Sequence, residues 1–263
     1  MALLECNIFS HELMMNTYVN VVLPQDTHNY IKGPPPKTLM LLHGISDNAA
    51  GWLRGSQAEV LAMEYGIALV MPEVQRSFYQ DMRYGLKYYS YVSGELPRLC
   101  AELFNLSVKP EDLMVAGLSM GGYGALYLAL NNPEKFSHCG AFSAACDFEG
   151  LVKHYKQFEG QGEIGTRLGE ELTAILGEAM EVGDRQSLFR AAEKAAGKPV
   201  KPKIYMSCGT EDFIRQQSLG MKDHLSKLGF DLTWEEWPGI HDWHFWNEAL
   251  KHFLAKYLVK QPR

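Results

Sequence analysis

At 263 residues the chain has room for one large α/β domain with a full core and a small helical cover; two small domains are the weaker expectation. Its formal charge of −6, with no basic run, gives no electrostatic basis for binding nucleic acid or an anionic membrane, and a neutral small-molecule substrate fits better. Five scattered cysteines (Cys6, Cys100, Cys139, Cys146, Cys208) lack ligand spacing, so neither a disulfide framework nor a metal site is expected. The N-terminal Met1 to Cys6 is neither cationic nor followed by a long apolar run, and the expectation is a soluble intracellular protein with no membrane span.

In chain order, Leu4 to Phe9 and Leu13 to Leu23 read as an antiparallel pair of strands at a sheet edge. Gly33-Pro34-Pro35-Pro36 must be loop, because three prolines fit neither a helix nor a central strand. Thr38 to Leu42 and Ile67 to Met71 are continuous apolar runs, the signature of strands covered on both faces, with a helix expected between them over Gln57 to Tyr65. Leu86, Tyr89, Val92, Leu96, Leu99 and Leu103 share one helical face, and Pro97 within it predicts a kink. Further strands are expected at Leu113 to Ala116, Ser137 to Ser143, Pro202 to Cys208 and Leu232 to Trp237, with helices over Gln216 to Leu228 and Trp243 to Leu258. A polar, glycine-studded stretch from Asp147 to Lys201 holds short amphipathic pieces and reads as a lid. The whole predicts a mostly parallel, doubly wound sheet in one domain spanning 1–263, with 147–201 as a cap insertion.

Gly117-Leu118-Ser119-Met120-Gly121 stands where an apolar strand gives way to helical spacing. A serine at such a sharp strand-to-helix turn is lifted out of the sheet as a nucleophile elbow, and the flanking glycines leave room for strand and helix to meet. A serine hydroxyl is a weak nucleophile at neutral pH, so it needs a base, and the base needs an orienting carboxylate. Among the nine histidines, His241 sits on the loop between the last strand and the last helix, with His244 the weaker rival and His252 within the helix. Asp212 follows the preceding strand and Gly209, ahead of a helix it can also cap; Glu211 beside it and Asp147 after the earlier strand are the other candidate acids. Two amides must face the developing oxyanion: that of Met120 by construction, and one from the loop after His43-Gly44, with Ile45 preferred. His43 itself reads as a structural residue under this loop. Trp52, Trp243 and Trp246 are candidates for lining an acyl pocket.

With these residues in place the chain resembles the esterase D-like branch of the α/β-hydrolases, and within it the tributyrin esterases and acetylesterases. The resemblance runs through Leu42-His43-Gly44 with Asn48 and Trp52, Tyr84-Gly85 with Tyr88-Tyr89, Glu95-Leu96-Pro97, Gly117 to Tyr123, Cys208-Gly209 with Asp212-Phe213, and His241-Asp242-Trp243 with Trp246. It implies an α/β-hydrolase fold and a cytoplasmic serine carboxylesterase that cleaves short acyl esters without cofactor or metal, with Ser119, Asp212 and His241 as its triad. S-formylglutathione hydrolases and acetyl-xylan or feruloyl esterases share these motifs, so a thioester or a sugar ester is the alternative substrate. An acyltransferase or a silent binding protein on the same scaffold also remains open, as does a homo-oligomer.

Overall fold

The computed structural model describes residues 1–25, 33–158 and 162–261. Among them, eight strands form one sheet in the order β1-β2-β4-β3-β5-β6-β7-β8. β1 (Ala2–Ser10) and β2 (Met15–Leu23) run antiparallel, β2 joins β4 antiparallel, and every pairing from β4 to β8 is parallel. The central strands β3 (Thr38–Leu42), β4 (Ala68–Pro72) and β5 (Leu113–Leu118) are buried along their whole length, as continuous apolar runs require when both faces of a sheet are covered. β6 (His138–Phe142), β7 (Lys203–Gly209) and β8 (Leu232–Trp237) complete the parallel part. Because β4 lies on one side of β3 and β5 on the other, the strand order reverses at β3. The loops after β3 and β5 therefore open a crevice at their C-terminal ends, where such sheets bind ligands.

Helices cover both faces. On one face α1 (Gly51–Gly55), α2 (Ala58–Tyr65) and α10 (Trp243–Tyr257) enclose a core that includes Trp52, Phe142, Tyr205 and Phe253. The other face carries α3 (Tyr88–Ser90), α4 (Leu96–Phe104), α5 (Met120–Asn131), α8 (Leu188–Ala196) and α9 (Arg215–Lys227) over a larger core with Tyr123, Tyr127 and Phe148. Above the C-terminal edge, α6 (Phe148–Phe158) and α7 (Gly162–Leu176) pack on each other. α8 belongs to the body of the domain, since it packs against α5 and α9.

Two departures from the sequence reading have local causes. The second strand starts at Met15 because Ser10 to Met14 forms a tight turn with Met14 at φ 54°, held from outside by the buried Glu95 carboxylate. Glu95 accepts from the Ser10 hydroxyl and from the His11 (2.7 Å) and Glu12 (3.2 Å) amides. Ahead of Pro97 the chain makes a π turn over Tyr91–Glu95, so the disturbance lies before the proline and the Leu96 amide reaches back to the Tyr91 carbonyl. Proline has no N–H for the carbonyl four residues earlier, and that carbonyl, Ser93, accepts instead from Lys135 Nζ at 3.1 Å.

Candidate active site

β5 ends one residue before Ser119, and α5 begins one residue after it. Ser119 sits at φ 53°, ψ −117°, a conformation costing on the order of 1–3 kcal/mol for a residue with a side chain. Close packing enforces it. A Cβ on Gly117 would stand 2.3 Å from the Gly121 carbonyl oxygen, and one on Gly121 would stand 2.2 Å from that of Leu42, so only glycine lets β3, β5 and α5 converge here. The Ser119 amide donates to the Phe142 carbonyl (3.0 Å) and its carbonyl accepts from Tyr123 (3.0 Å) and Ala145 (3.1 Å), which fixes the turn against β6. As the first residue of α5, Met120 has an amide with no carbonyl of its own helix to bond.

His241 lies on the loop between β8 and α10, one residue before Asp242, which caps α10 by accepting from the Phe245 amide at 3.0 Å. Its Nε2 is 2.9 Å from Ser119 Oγ, and its Nδ1 is 2.9 Å from Asp212 Oδ2 and 3.1 Å from Oδ1. Asp212 Oδ1 also accepts from the Ile214 amide at 3.0 Å, so the carboxylate both orients the imidazole and shapes the turn into α9. Burial of the Asp212 carboxyl acts to raise its pKa, but the hydrogen bonds from His241 and the Ile214 amide outweigh this and hold it below the ordinary carboxylate value. Glu211 does different work. Its Oε2 accepts from the Gly239 amide (2.7 Å) and its own amide donates to the Gly239 carbonyl (3.1 Å), tying the loop that carries His241 to the loop that carries Asp212.

A pocket of about 270 Å³ opens at Ser119. Phe78, Phe148, Phe213 and Ile214 give it apolar walls, Leu151 from α6 and Leu168 from α7 roof it, and Met120 and Ile45 lie at its reacting end. Beneath the Ile45 loop, His43 is buried with Nδ1 donating to the Gly44 carbonyl (2.8 Å) and Nε2 accepting from the Val74 amide (3.2 Å). Burial, the largest influence on it, lowers its pKa and keeps the ring neutral, a structural part as the sequence reading expected. Among the described residues no group of three or more His, Cys, Asp or Glu side chains is arranged to hold a metal ion.

Residues 10–257 match the family model described as "Putative esterase". The chain belongs to the esterase family. This esterase is 32% identical over 259 residues to an acetyl esterase of Caldicellulosiruptor saccharolyticus, a match covering 95% of this chain and 96% of the relative. Among solved structures it is similar to FphF, a fluorophosphonate-binding serine hydrolase of Staphylococcus aureus, with a TM-score of 0.85, 31% identity and 97% of each chain covered. It is also similar to the S-formylglutathione hydrolase FrmB of S. aureus, with a TM-score of 0.82, 31% identity and coverage of 97% of this chain and 98% of that one. The protein is thus a carboxylic ester hydrolase of the serine esterase type on an α/β-hydrolase fold. No helix among its described residues is long and apolar enough to cross a membrane.

The esterase's tryptophans are not where the sequence reading put them. Trp52 is 1% exposed within the core on the α10 face, its indole N–H donating to the Leu42 carbonyl at 3.0 Å. Trp243 meets both Trp52 and Trp246 edge-on at 5.3 Å, and Trp246 meets the His241 ring edge-on at 5.0 Å. This row braces the imidazole from behind, while Phe78 and Phe213 on loops and Phe148 at the start of α6 line the pocket at Ser119. Phe213, 79% exposed and 4.6 Å from the His241 ring, was missed although it adjoins Asp212 in sequence; an apolar side chain beside a candidate acid on a surface loop was the available signal. His244 and His252 lie on α10, and His252 pairs with Glu235 at 2.8 Å. Asp147 lines the pocket, with Oδ1 accepting from the Gly150 amide at 2.7 Å at the start of α6.

Proposed function

We propose that this esterase hydrolyses short-chain acyl esters through an acyl-enzyme on Ser119, with His241 as general base and acid and Asp212 as its orienting carboxylate. The observation that carries the reading is the continuous hydrogen-bonded path from Ser119 Oγ through His241 to Asp212 at 2.9 Å on each side of the imidazole. As Ser119 Oγ attacks the ester carbonyl, His241 Nε2 takes its proton, and the nearby anionic Asp212 stabilises the imidazolium. The tetrahedral oxyanion accepts from the Met120 amide, with Ile45 the preferred second donor because it lines the same pocket as Ser119 and Met120. Collapse returns the proton from His241 to the departing alcohol oxygen. Water then enters by the same path and releases the acid. Metal and cofactor have no part in this scheme.

The short-acyl preference is supported by the acetyl esterase relative and by a pocket of about 270 Å³ that the roof helices α6 and α7 close over. A pocket gains roughly 0.8 kcal/mol per methylene only while there is room to bury it, so activity rises from acetyl to butyryl and then falls. The similarity to FrmB favours S-formylglutathione as a second candidate substrate. Mass spectrometry after treatment with a fluorophosphonate is expected to find the adduct on Ser119, and S119A to be unlabelled and inactive across p-nitrophenyl esters and S-formylglutathione. Labelling at another serine, or turnover by S119A, would refute the assignment.

A further inference from the structure

We infer that Arg76 sets the acyl-length limit of the Ser119 pocket: its guanidinium, clasped to Glu171 on the roof helix α7, closes the pocket off from an adjoining groove. The inference rests on the proposed role of Ser119. Arg76 Nη2 donates to Glu171 Oε2 at 2.9 Å, Nε donates to Oε1 of the same carboxylate, and Nη1 donates to the Ile45 carbonyl at 3.2 Å. One planar group thus joins the roof to the loop at the reacting end of the pocket, using the two-pronged geometry that arginine offers a carboxylate.

Arg76 is a wall with space on both sides. It lines the pocket at Ser119, and it also lines a groove of about 440 Å³ whose other walls include Ser77, Met82, Glu171 and Ala174. Arg76 is the lining residue that the two spaces share, so its side chain is what an acyl chain outgrowing the pocket meets. Met82 and Ala174 give the groove beyond it apolar surface on which methylenes can be buried. A further groove touching Arg76 is walled by Asp47, Gln75 and Arg167, and its charges make it a poor host for an alkyl chain.

The clasp is also a tether of the roof with the polar groups of two side chains. The C-terminal end of α7 is fixed by backbone, since the Arg83 and Tyr84 amides donate to the Ile175 (3.0 Å) and Ala174 (2.9 Å) carbonyls, which the ending helix leaves unpaired. One turn back along α7, Glu171 is held by Arg76, with Arg167 Nε 3.7 Å from the same carboxylate. Glu171 does not line the Ser119 pocket, so neutralising it loosens Arg76 without touching the reacting groups.

The test measures kcat/KM for p-nitrophenyl acetate, butyrate and octanoate, all as dissolved monomers, in the full-length protein and in R76A and E171Q. The expected result is an octanoate-to-acetate ratio raised at least about tenfold in R76A, and by a smaller factor in E171Q with acetate turnover within about twofold of the parent. Because R76A also frees the Ile45 carbonyl, its absolute rates fall on every ester and the ratio is the readout. Should R76A fail to fold, E171Q carries the test. A ratio unchanged in the folded variants overturns the inference, and so does a shift that follows alcohol length in a series of acetate esters from ethyl to octyl. Failure of the Ser119 assignment is read separately, as acetate turnover surviving in S119A.

Discussion

At the elbow, backbone meets backbone: the Cβ of an alanine at 121 would sit 2.2 Å from the Leu42 carbonyl oxygen, and neither partner has a rotamer to change. In the roof, the Cβ of an alanine at 169 on α7 would sit 1.9 Å from the ring end of Tyr155 on α6, a closer approach but to the far end of a side chain that can swing away. The same contrast holds for polar contacts. Ser119 is fixed by backbone hydrogen bonds to Phe142, Tyr123 and Ala145, whereas Glu171 holds the roof through a partly exposed arginine side chain. The groups to which we assign the chemistry sit on parts that cannot adjust, and the groups to which we assign the bounding of the substrate sit on parts that can.

The largest expected effect tests the rigid half. D212N and H241A are each expected to lower kcat by about 10³–10⁴-fold or more while the circular dichroism spectrum and unfolding midpoint stay near those of the parent. D212N keeps the size of the side chain but turns a pure acceptor into a group with an N–H₂ facing the Nδ1 proton, so the imidazole loses the tautomer that Ser119 needs. Near-normal turnover in either variant would mean that the base or the acid lies elsewhere, with His244 and Asp147 the first to examine.

The next effect separates the two halves directly. G121A is expected to cost at least about 1–3 kcal/mol in urea unfolding, because overpacking against backbone can be relieved only by moving β3 or α5. G169A is expected to stay within roughly 0.5 kcal/mol of the parent, since a χ1 swing of the half-buried Tyr155 side chain carries its ring end away and alanine favours the helix. Equal losses at both positions would show that the roof is as unyielding as the elbow.

The same division governs what could be read from the sequence. The strands, the elbow and the order Ser119, Asp212, His241 were legible because they obey local rules: unbroken apolar runs, glycines two residues either side of a serine, an acid and a histidine on loops after strands. The Arg76–Glu171 clasp joins residues 95 positions apart, and no spacing rule connects them. Trp52, Trp243 and Trp246 misled because an aromatic on a helix beside a catalytic loop has the same local pattern whether it faces the pocket or the opposite core. Face is decided by how α1 and α10 cross the sheet, which is a property of the packed whole. The π turn before Pro97 was half legible, since the proline announces a missing N–H but not which side of it the helix will yield.

The smallest expected effect concerns protons far from the roof. His138, at the start of β6, has its pKa lowered to about 4 by burial first and then by Lys203 and Lys37, against an opposing pull from Asp231. Its ring packs on Tyr257 at 4.4 Å, and its Nδ1 lies 2.9 Å from the Ser137 hydroxyl. Above the ordinary histidine value of 6.5 neither folded nor unfolded chain holds the proton, so the whole contribution of the neutral ring to stability is present there. As pH falls from 6.5 towards about 4 the unfolded chain binds a proton that the folded chain refuses, and stability declines over that window. His43 acts in the same direction under the elbow, because its burial also lowers its pKa and its Nε2 must stay unprotonated to accept from the Val74 amide. A single group changes stability by at most about 1.4 kcal/mol per pH unit, and His138, being only half-buried, contributes well under that limit. H138Q keeps a polar side chain at the same place without a titrating ring. Urea midpoints at pH 7 and pH 5 are expected to differ less in H138Q than in the parent, with the remaining slope carried in part by His43. A variant whose pH 5 to pH 7 difference equals that of the parent would show that His138 takes up its proton in the folded chain as readily as in the unfolded one.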